Sequence, residues 1–311
     1  MSRFRPTTTA AALAVSAVLV LAGCGGSDSD DATDAAPSTT TAEVAETTTT
    51  EAAAEPLQIL VANDDGYDAE GIDALVEALV AVEGVEVTVV APLTQQSGTG
   101  GKTTAGELAV TDVELASGHP AKAVEGFPSD AVRVAMDELG IEPDLAITGI
   151  NEGQNVGPAV DLSGTVGAAR AAVARGVPAL ATSQGTGDAY DYEAAIPFIL
   201  DWLAEHREAI AAGEEPVAVT SLNVPSCATG EVRGLEETEA DLDADFGQAL
   251  SAQDCTSTVT ADSLDGDVAL FLAGFATITQ LDDEPAEPAE VVQPASFSRN
   301  ESRPSAASSV P

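Results

Sequence analysis

Positive charge is what this chain has least of. Its 311 residues carry 11 Lys and Arg and 2 His against 52 Asp and Glu, a formal net charge of −41 at pH 7. Nucleic-acid polymers and anionic membrane surfaces repel such a polyanion, which excludes both as partners bound through a basic patch. A small phosphorylated ligand is not excluded, because a bound cation inverts the local field. Most of the acidity suits solvated faces and soluble segments. Histidine is almost absent too: His206 lies in a charged helical stretch and His119 in no motif, so both read as surface residues. No apolar run reaches the ~20 residues of a comfortable membrane-spanning helix. Cysteine is limited to Cys24, Cys227 and Cys255.

What is present begins with a leader. Arg3 and Arg5 precede an apolar stretch from Ala10 to Ala22, so residues 1–23 read as a secretory signal. Leu21-Ala22-Gly23-Cys24 resembles the lipobox of bacterial lipoproteins, in which the cysteine is acylated and becomes the new N-terminus. Cys24 is then the lipid anchor to the outer face of the cell membrane; ordinary cleavage at another small residue is the alternative. Residues 24–56 are an acidic Thr/Ala-rich stretch with almost nothing to bury, and residues 282–311 are similar. Both are expected to be disordered, one as a tether and the other as a tail. Residues 57–281 remain, a suitable length for one α/β domain. With Cys24 used as anchor, Cys227 and Cys255 form an even pair in an oxidising compartment, either bridged or as two buried thiols.

Leu57 to Ala62 is an apolar run, and Asn63-Asp64-Asp65-Gly66 follows it directly. Two adjacent carboxylates are thus expected where a buried strand ends. In open α/β sheets ligands bind outside the carboxyl ends of strands, and a hard divalent cation needs oxygen ligands at such a rim. A plain turn has the same composition. Next, Ile72, Leu75, Val76, Leu79 and Val80 recur at helical spacing, and Val85 to Pro92 reads as a β-branched strand stopped by proline. The alternation repeats in 145–150, 165–175 and 179–182, then in 192–212 and 217–220. It implies a mainly parallel sheet with helices on both faces. No internal repeat is visible.

The loops after these strands are polar and glycine-rich. Gln95 to Lys102 can bring backbone N–H groups near an anion, although it lacks P-loop spacing. Asn151-Glu152-Gly153-Gln154-Asn155 follows the strand at 145–150. Ser163-Gly164-Thr165 opens a helix, where Ser and Thr can cap it or help hold phosphate.

Several stretches together resemble the SurE family of survival-protein nucleotidases. They are Asn63 to Tyr67, Val90-Ala91-Pro92 with Gln96-Ser97-Gly98, and Gly126 to Asp130. Thr148 to Asn151 with Gly153, Asn155 and Gly157, and Leu162 to Ala169, continue the pattern. Asn223-Val224-Pro225, and Asp267 with Gly274, complete it. The resemblance implies a Rossmann-like three-layer α/β/α sandwich with a protruding β-rich extension that commonly mediates homodimer or homotetramer formation. It implies metal-dependent hydrolysis of nucleoside 5′- and 3′-monophosphates, sometimes with activity on short polyphosphate. On matching positions, Asp64, Asp65, Ser97 and Asn151 are the implied metal ligands, with Asp64 and Asp65 catalytic. Asn155, Ser163, Gly164 and Thr165 are implied near the phosphate. The departures, Phe127 to Asp130, Leu162, Gly266 and Gln280, fall beside the metal set and bear on substrate preference.

Four hard oxygen donors suit Mg²⁺ or Mn²⁺. The expected activity is that of an exported, lipid-anchored nucleotidase acting outside the cytoplasmic membrane. A solute-binding lipoprotein that captures a phosphorylated ligand without hydrolysing it is the alternative.

Overall fold

The computed structural model describes residues 55–187 and 190–281. The expected signal segment, Cys24, nearly all of the tether and the tail lie outside the described residues. Strand β1 (Leu57–Ala62) shows how the layers arise. Leu57, Ile59 and Val61 enter one core while Leu60 and Ala62 enter another. A strand covered on both faces reads as a continuous apolar run, and its two-residue period divides the side chains between the layers.

Eight further strands complete a single sheet. They are β2 (Val85–Pro92), β3 (Val110–Glu114), β4 (Pro120–Val124), β5 (Leu145–Glu152), β6 (Ala179–Gln184), β7 (Val219–Val224), β8 (Leu235–Glu237) and β9 (Ala276–Leu281). The order is β3-β4-β2-β1-β5-β6-β7-β9-β8. From β4 through β7 all neighbours are parallel; β3 and β9 pair antiparallel with β4 and β7. Helices α1 (Glu70–Val80) and α4 (Tyr192–Ala212) cover one face. The other face is covered by α2 (Pro128–Arg133) and α3 (Gly164–Val173). This is the expected three-layer α/β/α arrangement. Ile72, Leu75, Val76 and Leu79 of α1 are buried at their helical spacing.

The hairpin of β3 and β4 and the short α2 have no counterpart in the sequence reading. Strand β3 is largely exposed, so its pattern carries no buried stripe. Strand β7 begins two residues later than its apolar run, because Val217 is exposed, and continues through Asn223 and Val224.

Residues 225–275 leave the body between β7 and β9. They differ from the β-rich extension that the resemblance implied. Their one strand, β8, joins the main sheet beside β9, and the rest is loops and short helices including α5 (Phe246–Ala249) and α6 (Gly266–Leu272). The segment is dominated by Asp, Glu, Ser, Thr and Gly, without the alternating apolar run that a second sheet needs. A disulfide joins Cys227 to Cys255, Cα to Cα 5.7 Å. The apolar stretch at 268–275 is core: Phe271 is fully buried with Val156, Ala249 and Val268, and Arg233 lies 4.3 Å over the Phe275 ring. His206 is half-buried, stacked on Trp202 at 4.4 Å with its Nδ1 2.9 Å from Glu215. His119 is half-buried as well, so neither histidine is fully at the surface.

Candidate active site

Where β1 ends, Asn63, Asp64 and Asp65 are 0%, 2% and 8% exposed. A carboxylate is costly to bury without partners, and both aspartates have them. Asp64 Oδ1 accepts the Thr165 hydroxyl at 2.5 Å. The backbone N–H groups of Gly164 and Thr165, at the start of α3, also act on the Asp64 carboxylate. A Cβ on Gly164 would lie 2.7 Å from the Asp64 Cβ, so only glycine lets the helix start come this close. Burial still pushes the Asp64 pKa above the usual carboxylate range, against those hydrogen bonds.

Asp65 Oδ2 accepts the Glu152 backbone N–H at 2.9 Å. Burial first, and then the neighbouring Asp64 charge, push its pKa up to about 7; the Glu152 N–H and the Ser97 hydroxyl oppose the shift. Ser97 is exposed on the loop after β2, its hydroxyl accepting from Gln95 Nε2 at 2.7 Å. That loop is tied to the carboxylates where the Gln96 N–H donates to the Asp64 carbonyl at 2.6 Å. Asp130, fully buried in α2, accepts the Thr104 N–H at 3.0 Å and anchors the loop's far end.

The third element is β5. Its register against β6 shifts between Thr148 and Asn151, across Gly149 at φ +122°. Such an irregularity re-aims the side chains that follow. Asn151 is 6% exposed, and its Nδ2 donates to the Gly153 carbonyl at 2.6 Å. Its Oδ1 has no partner, nor has Asp65 Oδ1 or the adjacent Asn63 Oδ1. Buried acceptors without donors are what a cation completes. Among the described residues no three His, Cys, Asp or Glu side chains gather as a metal cluster. An ion here therefore depends on neutral Ser97 and Asn151 oxygens beside the two carboxylates, a donor set that fits Mg²⁺ or Mn²⁺.

The proposed phosphate-side residues differ in duty. Ser163 is the N-cap of α3, its hydroxyl oxygen accepting the Val166 N–H at 3.1 Å, which leaves its proton free to donate. Thr165 has its proton committed to Asp64 and acts as a positioning residue; Thr148 Oγ1 in turn holds its carbonyl at 2.9 Å. Asn155 is fixed from neighbouring strands: its N–H donates to Asn223 Oδ1 at 2.7 Å and its Nδ2 to Ser183 Oγ at 2.9 Å.

Four contributors escaped the sequence reading as site residues. Glu152 sat next to Asn151 as an ordinary loop acid. Tyr190 precedes α4 and Tyr192 begins it, and neither belongs to a motif. Burial, then Glu152, raise the pKa of both tyrosines. Asp267, quoted only as part of the family pattern, accepts the Gly157 and Asp241 N–H groups at 2.8 Å each.

Cavities in the structure do not all mark chemistry. One of about 630 Å³ lies against β8 and β9, lined by Arg170, Glu237, Glu239 and Gln280 among others. Arg170 is already paired with Asp161 at 3.1 Å, so that cleft offers no free cation to a phosphate. Another, of about 380 Å³, adjoins the carboxylate loop and is lined by Thr94, Gln96, Gly126 and Phe127.

The chain matches the family model described as Survival protein SurE over residues 59–243. It is 38% identical over 186 residues to "5'-nucleotidase SurE" of Brevibacillus brevis, covering 58% of this chain and 70% of that protein. To "5'-nucleotidase SurE" of Syntrophobacter fumaroxidans it is 37% identical over 184 residues, 58% of this chain and 72% of that one. The crystal structure of the SurE protein from Aquifex aeolicus superposes with a TM-score of 0.57 at 25% identity, covering 72% of this chain and 92% of the other. The strand-end carboxylates, the helix start pressed on Asp64 and these likenesses agree: the chain belongs to the SurE family.

Proposed function

We propose that the chain is a 5′-nucleotidase that hydrolyses nucleoside 5′-monophosphates, and 3′-monophosphates as a second substrate class, with Mg²⁺ or Mn²⁺ held by Asp64, Asp65, Ser97 and Asn151. The observation that carries the reading is the pair of bare acceptors, Asp65 Oδ1 and Asn151 Oδ1, buried beside an aspartate clamped to a helix N-terminus. A divalent cation would supply charge neutralisation and polarisation of the phosphoryl group. The chain's own residues supply position. Thr165 and the first N–H groups of α3 fix the Asp64 carboxylate, and the same helix end favours the negative charge of a phosphate. Ser163 keeps a hydroxyl proton for a phosphate oxygen, and Asn223 with Ser183 holds Asn155 rigid.

The proposal extends to location and assembly. The Leu-Ala-Gly-Cys sequence supports an anchor at Cys24 on the outer face of the cell membrane. Exposed Leu235, Leu242, Phe246 and Leu250, all within 225–275, support a homodimer or homotetramer.

Phosphate release from AMP tests the activity. Chelated protein is expected to be inactive and to recover with Mn²⁺ or Mg²⁺, and Asp64→Asn to lose most turnover while staying folded. Undiminished turnover by Asp64→Asn overturns the site, and nucleotide binding without any phosphate release favours a solute-binding protein. Membrane fractionation of wild type and Cys24→Ser tests the anchor; an unchanged distribution removes it.

A further inference from the structure

The chain has three tyrosines, and two of them, Tyr190 and Tyr192, stack on each other, with Tyr192 close to Ile150 where β5 leads into the carboxylate site. Their ring centroids are 5.8 Å apart and their planes 17° from parallel. Two contacts fix the pair there. The Tyr192 ring packs on Gly71, where an added Cβ would come within 2.9 Å of Tyr192 Cε1 and 2.0 Å of the Ile150 carbonyl oxygen. Ile150 immediately precedes Asn151. On the other side, the Glu152 charge acts on the Tyr190 hydroxyl, and the Glu152 N–H donates to Asp65 at 2.9 Å. Asp65, Glu152 and the tyrosines therefore form a continuous line. It runs outward from a buried carboxylate to two half-buried aromatic rings.

We propose that the Tyr190–Tyr192 stack is the nucleobase platform of this site. This rests on the nucleotidase reading above. A nucleotide whose phosphate sits at Asp64 and Asp65 carries its base further out, and the stack is an aromatic surface beside the β5 end that holds Asp65. Stacking does not read a hydrogen-bonding pattern, because every base has a π-face. The platform thus selects for an aromatic base on the phosphomonoester and does little to tell AMP from GMP. Purines overlap a tyrosine ring more widely than pyrimidines do, so CMP and UMP bind more weakly than either. Tyr190 and Tyr192 are specificity determinants in this scheme; the bond-breaking chemistry stays with the carboxylates.

The test compares KM and kcat for AMP and for ribose 5-phosphate, which has the same ester but no base. Wild type is expected to show a lower KM for AMP. Tyr190→Ala should raise the AMP KM by roughly 5- to 150-fold, the range for loss of one stacked base, with a far smaller change in kcat. The ribose 5-phosphate KM should move less than about twofold, which also shows that the variant is folded. Tyr190→Phe keeps the aromatic face and should hold the AMP KM within about threefold of wild type. An AMP KM unchanged in Tyr190→Ala, or a parallel loss on both substrates, overturns the platform. Equal KM values of wild type for AMP and ribose 5-phosphate overturn it as well while leaving the hydrolase standing. Failure of wild type to release phosphate from either ester removes the nucleotidase reading and the platform with it.

Discussion

Thr165 donates its hydroxyl proton to Asp64 Oδ1 at 2.5 Å, joining the end of the first strand to the first turn of α3 across 101 residues of sequence. The partner is a carboxylate, so this is a charge-assisted bond. It fixes which way Asp64 presents its second oxygen. Thr165→Val keeps the shape and removes the donor. The expected outcome is a roughly 10- to 100-fold loss in kcat or in affinity for Mn²⁺, the usual effect of deleting a group that orients a metal ligand. Thr165→Ser should recover most of it. Steady-state kinetics with a calorimetric Mn²⁺ titration checks both, and a valine variant with wild-type values removes the positioning role.

Two buried carboxylates side by side make the metal-free protein sensitive to pH. Asp65 titrates at about 7 in the folded chain against a usual value of 3.8. Between those limits the native state holds a proton that the unfolded state has released. Stability therefore falls as pH rises from about 4 to about 7 and levels above that. The raised pKa of Asp64 acts in the same direction. Thermal unfolding of chelated protein should show a melting temperature that declines across this window more steeply in wild type than in Asp65→Asn. Equal slopes in the two proteins would exclude Asp65 as the source.

The disulfide closes a loop of 28 residues between β7 and the segment that precedes α6. On the chain-entropy account such a closure stabilises by about 3 to 4 kcal/mol. A Cys227→Ser and Cys255→Ser double variant should lose an amount of that order in urea unfolding while keeping AMP turnover at room temperature. Loss of less than about 1 kcal/mol would mean that the reduced segment holds its place without the bridge.

The parallel body was legible because buried strands and amphipathic helices write their periods into the chain. Leu57 to Ala62 and Ile72 to Val80 show this directly. The carboxylates were legible because Asp64 and Asp65 follow a strand without a break. The clamps on them were not. Thr165 reads as a helix-cap residue, and its pairing with Asp64 depends on how α3 packs against β1. Glu152, Tyr190 and Tyr192 belong to no motif and meet only where the end of β5 comes beside the start of α4. Residues 225–275 carry no strand period because their apolar residues pack within short helices, as Ala249 does with Val268 and Phe271, and only β8 joins the sheet.

Asp267 shows how a residue remote in sequence can govern the approach to α3. Its side chain is 2% exposed and accepts two backbone N–H groups at 2.8 Å, one from Gly157 and one from Asp241. Gly157 begins the 3₁₀ turn that runs to Leu162 and delivers Ser163 as the cap of α3. Asp267→Asn replaces one acceptor oxygen by an NH₂ group facing a backbone N–H, so one bond is lost and a buried donor is left bare. That costs about 1 to 3 kcal/mol. Asp267→Ala strips both acceptors and should cost more. If the turn only stabilises the fold, urea unfolding will register the loss and the KM for AMP will not change. If it also sets the α3 start, KM rises in Asp267→Asn under conditions where the variant is fully folded. We expect the second outcome, because Gly157 to Ser163 is one short 3₁₀ segment of about two turns whose first N–H is held by Asp267.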